Sequence, residues 1–301
     1  MPLPTTNRRN LLLSAGAAAA GFAIERLAGA IEPIRRTDQP KFKFSLAAYS
    51  YRELLQGKPP KLTLADFIDD CARMGLEGTE LTSYYFPHDP SPEYLRQLKQ
   101  QTFRLGLDIS GTAVGNDFCH PPGGERDKQI ALVKQWVDRA EMLGAPVIRI
   151  FSGVAKAGQS ENDAHRLAVE AIEQCCQYAG QHGVFLALEN HGGLTTTVDG
   201  LLRLIGDVKS EWFGVNLDTG NFYSADPYAD LARIAPYAVN VQVKVSMNPG
   251  GSQKEPADYR RLAKILRDSR YRGYIVLEYE EKEDPREACP RQIDELRQAF
   301  A

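Results

Sequence analysis

From Phe42 onward the sequence alternates short β-rich runs with longer helical patterns eight times, and no other feature narrows the fold as far. The strand candidates are residues 42–48, 78–81, 107–112, 147–151, 184–189, 213–217, 239–245 and 274–278. Helical patterns fill the intervals near 64–75, 91–105, 124–143, 161–182, 197–206, 228–235, 256–269 and 286–300. Strand-then-helix repetition predicts parallel strands joined by crossover helices. Helix starts carry cap signals in Thr63 with Asp66, Ser91-Pro92-Glu93, Ser160-Glu161 and Pro256-Ala257-Asp258. Helices end at Gly75, Gly106, Gly144 and Gly183, where glycine permits a left-handed C-cap. Eight units without a dinucleotide glycine fingerprint predict an α/β fold of the closed kind, a single-domain (β/α)8 TIM barrel, over an open doubly wound sheet. The length of 301 residues suits one such barrel, roughly 250 residues, with extensions.

Residues 1–30 differ in character. Arg8-Arg9-Asn10 leads into Leu11-Leu12-Leu13, an Ala- and Gly-rich run over 14–24, and the small-residue stretch Ala28-Gly29-Ala30. That order reads as a signal peptide, and the arginine pair resembles a twin-arginine signal, although Asn10-Leu11 departs from the preferred residues. An uncleaved membrane tether is the alternative, but the apolar run is short and alanine-rich for spanning a bilayer. The expected organisation is a signal over 1–30, a linker over 31–40 and the barrel over 41–301, with a periplasmic or exported location. Five cysteines, an odd number without CxxC spacing, argue against a disulfide framework or a zinc–thiolate site. A net charge of -3 with scattered Lys and Arg excludes the basic footprint of a nucleic-acid binder. No stable membrane span is expected, and a homo-oligomer is left open.

In an α/β barrel the chemistry gathers at the C-terminal ends of the strands. Those positions hold Glu80, Arg149, Glu189-Asn190-His191, Asp218, Gln242 with Lys244, and Glu278-Tyr279-Glu280. Glu189, Asp218 and Glu278 end otherwise apolar strands. Clustered there without partners they would repel, and each buried charge would cost several kcal/mol. A divalent cation removes that penalty, and the oxygen-rich set suits a hard ion. Pairing of single carboxylates with Arg149 or Lys244 is the structural alternative. His191, two residues beyond Glu189, is open to three roles: general acid/base, metal ligand, or loop residue bonded to backbone. Among the other histidines only His120 is placed to reach the mouth. Tyr49, Tyr51, Tyr84, Tyr85, Phe86 and Phe118 follow the first three strands, where rings either stack on sugars or pack beneath loops.

The stretches Ala187-Leu188-Glu189-Asn190-His191-Gly192-Gly193, Val215-Asn216-Leu217-Asp218-Thr219-Gly220-Asn221, Val241-Gln242-Val243-Lys244 and Gly273-Tyr274-Ile275-Val276-Leu277-Glu278-Tyr279-Glu280 resemble the xylose isomerase-like barrels. That group includes sugar isomerases, ketose 3-epimerases and inosose dehydratases. The resemblance implies a divalent metal (Mn2+, Mg2+, Co2+ or Zn2+) held by Glu189, Asp218, Gln242 and Glu278. Gln242 stands where the epimerases carry His, and a neutral carbonyl oxygen binds transition metals less tightly than imidazole. Glu189, Glu278, His191 and Lys244 are the implied catalytic groups. Glu80, Arg149, Asn221 and His120 are the candidate substrate contacts.

The expected activity is a metal-dependent isomerase or epimerase acting on a small carbohydrate or polyol through an enediolate. A lyase or dehydratase acting on a keto-sugar, and a non-catalytic sugar-binding barrel, are the alternatives. A metal-dependent endonuclease of the same fold needs a histidine-rich site and a basic groove, which five histidines and a negative net charge do not provide.

Overall fold

The computed structural model describes residues 31–251 and 253–301, so the signal expected over 1–30 lies outside the described residues. Eight strands close into a parallel barrel: β1 Lys41–Ala47, β2 Gly78–Thr82, β3 Asp108–Ala113, β4 Val147–Ile150, β5 Phe185–Glu189, β6 Phe213–Asp218, β7 Ala238–Val243 and β8 Arg272–Leu277. Each strand pairs with its sequence neighbours, and β8 closes on β1 through pairs such as Ser45 with Val276. The connecting helices are α1 Leu64–Arg73, α2 Pro92–Arg104, α3 Gly124–Leu143, α4 Glu161–Gln181, α5 Val198–Asp207, α6 Pro227–Ile234, α7 Tyr259–Asp268 and α8 Pro285–Phe300.

Local chemistry explains where these elements begin and end. Thr63 and Asp66 form a reciprocal capping box at α1, while Ser91, Ser160 and Asp258 cap α2, α4 and α7. The helix-ending Gly75, Gly106, Gly144 and Gly183 adopt φ between 63° and 80°. Between helices and sheet, the buried rows of Leu, Ile, Val and Ala form one continuous core. The segment over 31–40 has no helix or strand. It is tied to the barrel floor by Ile34 N–H donating to Pro236 O (3.0 Å) and by Arg36 donating to Ala238 O (2.6 Å).

Two register shifts matter for the site. One falls between Thr79 and Glu80 where β2 meets β3, the other between Val215 and Asn216 where β6 meets β7. Bulges of this kind re-aim the side chains beside them. The five cysteines are buried and unbonded. No helix among the described residues is long and apolar enough to cross a membrane.

Candidate active site

The strand ends deliver the polar groups in two layers. β5 ends on Glu189 and β6 on Asp218, while Lys244 and Glu278 follow the last residues of β7 and β8. Because strand side chains alternate, Asn240, Gln242 and Lys244 share one side of β7. Asn190 ties the ends of β5 and β6 together: its amide donates to Asp218 O and its carbonyl accepts from Asp218 N–H, both at 2.9 Å. Thr219 Oγ1 accepts from Lys244 N–H at 2.9 Å, which fixes the root of that side chain.

In the upper layer each buried cation meets carboxylates. Arg149 Nε lies 2.9 Å from Glu189 Oε2, and its Nη1 donates to Val114 O at 3.0 Å. Its guanidinium carbon sits 4.1 Å from the centre of the Phe151 ring. Asn221 donates to the other oxygen of Glu189 at 2.8 Å. Lys244 Nζ reaches Glu278 Oε2 at 2.7 Å, Glu280 Oε1 at 3.0 Å and Asp218 Oδ2 at 3.4 Å. Asp218 Oδ2 is buried and receives no hydrogen bond.

These partners set the proton affinities. Burial pushes the Glu189 carboxyl up to about 7, against the pull of Arg149. Burial also carries Asp218 well above the usual carboxylate range. Burial is the largest influence on Glu278 too and would raise it, but the charge and hydrogen bond of Lys244, with Arg149 and a hydrogen bond from Asp218, together hold it below its ordinary value. Burial would depress Lys244, yet Asp218, Glu278 and Glu280 together raise it.

Beneath this layer lies a closed ring of polar side chains that the sequence reading did not assemble. Gln242 Nε2 donates to Glu80 Oε1 (2.6 Å), and Asn216 Nδ2 donates to Gln242 Oε1 (2.7 Å). Asn240 Nδ2 donates to Asn216 Oδ1 and to Glu80 Oε2, both at 2.8 Å. Away from water, polar groups on the barrel axis must satisfy one another. Glu80, expected as a substrate contact, is 0% exposed with both oxygens engaged, so it has no face to offer a substrate. Gln242, expected in a metal shell, has its carbonyl oxygen bonded to Asn216 and turned away from the carboxylate layer. Burial, with Glu278 second, pushes Glu80 up to about 7. A signal for Asn216 and Asn240 was present: polar residues two apart on otherwise apolar strands, at 216 and 218 and at 240, 242 and 244.

The mouth is rimmed by exposed His191, which stacks on Phe151 with ring centres 4.5 Å apart. Burial and Arg149 lower its pKa. His120 is half-buried in the loop after β3, where its carbonyl oxygen accepts from Arg126 at 3.5 Å. Of the aromatic set, Tyr51, Phe86 and Phe118 are buried in the core, whereas Tyr84 is 43% exposed and packs edge-on to Tyr49. A cavity of about 60 Å³ remains beside Lys244, lined by Asn221, Glu278 and Glu280. A far larger one, about 1280 Å³, opens at the opposite, N-terminal end around Ile31, Trp212 and Tyr237. Size does not decide between them, because the cluster of perturbed carboxyls lies at the smaller.

The donor set at the mouth is oxygen-rich, but its arrangement does not fit a divalent cation, and the shell expected from Glu189, Asp218, Gln242 and Glu278 is not formed. Glu189, Asp218 and Glu278 are buried oxygen donors and one Asp218 oxygen lacks any hydrogen bond, but Arg149 stands on Glu189 and Lys244 on Asp218 and Glu278. Among the described residues no group of three or more His, Cys, Asp or Glu is arranged to close on an ion. The space between Asp218 and Glu278 is shared with the Lys244 ammonium.

Known proteins place this geometry in context. The profile of the xylose isomerase-like TIM barrel matches residues 68–299. Similar curated proteins include a 3-dehydroshikimate dehydratase of Bacillus anthracis, 24% identical over 213 residues, covering 67% of this chain and 71% of that protein. An inosose dehydratase of Erwinia tasmaniensis is 26% identical over 261 residues, covering 74% and 84%. Among solved structures, a D-psicose 3-epimerase of Clostridium cellulolyticum superposes with a TM-score of 0.72 at 15% identity, covering 86% of this chain and 99% of that one.

Proposed function

The chain belongs to the xylose isomerase-like TIM-barrel family, and from that premise we propose that it is an acid–base enzyme of the isomerase or epimerase type. Its substrate is a small carbohydrate or polyol bearing a carbonyl. The observation that carries this reading is the opposite bias of two neighbouring carboxyls, Glu189 raised to about 7 and Glu278 held ionised by Lys244. Carboxyls whose environments push their proton affinities apart are suited to act as an acid and a base.

In this reading Glu278 takes the proton from the carbon beside the substrate carbonyl, and Glu189 returns one from its own side. Glu189 titrates near neutrality, so it gives and takes a proton without a large mismatch at working pH. Arg149 and Asn221 grip its two oxygens and fix where that proton is delivered. With the Lys244 ammonium on Asp218 and Glu278 and Arg149 on Glu189, the positive charge that steadies the developing enediolate comes from these two side chains. Lys244, Arg149 and the rim residue His191 are available to substrate oxygens. The surplus of carboxylates favours an uncharged sugar or glycoside over a phosphate ester.

A second reading, β-elimination from a keto-sugar, is favoured by the two curated relatives, both named as dehydratases. It uses the same first proton transfer and then expels a hydroxyl. One experiment separates the readings: incubation with free ketoses and 3-keto-glycosides in D2O at neutral pH, followed by NMR. Deuterium beside the carbonyl in an epimer or isomer supports the first reading. An unsaturated product supports the second. Saturable binding without exchange or product would make the barrel a sugar-binding protein and retire both.

A further inference from the structure

We propose that the mouth selects its substrate by shape: it takes a closed, six-membered polyhydroxy ring laid flat on a wall of aromatic side chains, and not an open-chain sugar. The place of the reacting carbon, between Glu189 and Glu278, is taken from the proposed function, on which this inference rests; the form of the substrate is added to it.

The wall is built on the two cations that grip those carboxyls. Arg149, 2.9 Å from Glu189, has its guanidinium carbon 4.1 Å from the centre of the Phe151 ring and 5.9 Å from that of Tyr84. His191 lies against Phe151, with ring centres 4.5 Å apart. Tyr84 meets Tyr49 edge to face at 6.5 Å. Lys244, 2.7 Å from Glu278, has its Nζ 6.0 Å from the centre of the Tyr49 ring. The series therefore runs from the partner of one carboxyl to the partner of the other, each cation close enough to a ring face to hold it. Tyr84 is fixed further: its hydroxyl oxygen accepts from Arg149 at 3.4 and 3.5 Å. Gly115 leaves room for it, since an added Cβ there would lie 3.0 Å from that oxygen.

Packing does not use this wall up. Tyr51 and Phe118 fill the core beneath the loops, but Tyr84 is 43% exposed and His191 is exposed. A six-membered polyol ring has an apolar face of C–H groups and a rim of hydroxyls. The mouth offers a counterpart to each: the rings for the face, and Asn221, Lys244 and Glu280 around the cavity of about 60 Å³ for the rim. An open-chain polyol has no flat face to present. It must also give up bond rotations on binding, an entropic cost that a closed ring has already met.

Ketone-free ligands test the proposal without relying on turnover: methyl glucopyranoside and myo-inositol as closed rings, and sorbitol as an open chain with the same hydroxyl count as myo-inositol. Ligand-observed NMR titrations of the full chain at neutral pH give the dissociation constants. Wild type should bind a ring on the order of ten-fold more tightly than sorbitol. Tyr84→Ala should weaken ring binding on the order of five-fold while leaving sorbitol binding and the melting temperature unchanged. Tyr84→Phe, which keeps the ring and loses the hydroxyl, should bind like wild type. Binding of either ring alone supports the proposal and tells a pyranoside from a carbocycle. Sorbitol bound as tightly as the rings, Tyr84→Ala binding like wild type, or no saturable binding of either ring overturns it. Ring binding without deuterium exchange or product retires the proposed chemistry and leaves this inference standing; exchange into open-chain ketoses without ring binding does the reverse.

Discussion

Replacing Glu80 by Gln removes one buried titrating group from the barrel. The folded carboxyl is fully buried and raised from 4.5 to about 7. In the unfolded chain it returns to its ordinary value. Between roughly pH 4.5 and pH 7 the folded protein therefore keeps a proton that the unfolded chain has released, so stability falls as pH rises through that window and levels off above it. At about 1.4 kcal/mol for each pH unit, the rise from 4.5 to about 7 amounts to about 3 kcal/mol. Glu80→Gln is neutral throughout and keeps the side-chain length, so it abolishes this dependence; it also removes a charge that helps raise Glu189. It also puts an amide donor where Asn240 or Gln242 already donates, a constant offset of about 1–3 kcal/mol against the variant. The variant should thus gain on wild type by about 3 kcal/mol between about pH 5 and pH 8. Urea unfolding of both proteins at the two pH values measures the change, and the offset cancels. An identical difference at both values refutes the buried, raised carboxyl.

Two further outcomes are expected. Arg149→Met leaves Glu189 buried without its cation and should cost about 3–5 kcal/mol in thermal or chemical unfolding; the loss should shrink at acid pH, where Glu189 is protonated, and a constant loss would show that packing on Phe151 dominates. Lysines at Arg8 and Arg9 should hold the protein in the cytoplasm, since a twin-arginine receptor reads that pair; unchanged periplasmic recovery would remove the export proposal.

The fold was legible because each strand–helix unit carries local punctuation. The capping box of Thr63 and Asp66 and the left-handed Gly144 are short-range chemistry, and they fixed element ends to within a few residues. The strand ends bearing Glu189, Asp218 and Glu278 followed from the parallel barrel. What the sequence could not carry was depth. Glu80 and Glu189 both stand toward the C-terminal ends of their strands, yet one lies within the barrel and the other at its mouth. The register shifts beside Glu80 and Asn216 turn on pairing between strands far apart in the chain. For the same reason, the spacing of Gln242 showed that it faces inward but left open whether its oxygen meets a metal or Asn216.

Depth also decides which charges survive. The lower ring answers Glu80 with neutral amides alone, so burial prevails and the group moves toward neutrality. The upper layer answers Glu278 with an ammonium, and that charge persists although the group is only 5% exposed. A charged partner alone does not decide the outcome either: Glu189 and Asp218 stay raised although Arg149 and Lys244 face them, and of the three strand-end carboxyls Glu278 alone is held below its ordinary value. The consequence is an ionised Glu278 beside the cations Lys244 and Arg149 where a substrate arrives, above a lower ring that is close to neutral. A change in the lower ring should then move stability and its pH dependence more than turnover, whereas removal of Arg149 or Lys244 reaches the reacting groups directly. That contrast between layers follows from which donors face each carboxyl, and it would fail if Glu80→Gln shifted the pH profile of turnover as far as it shifts that of unfolding.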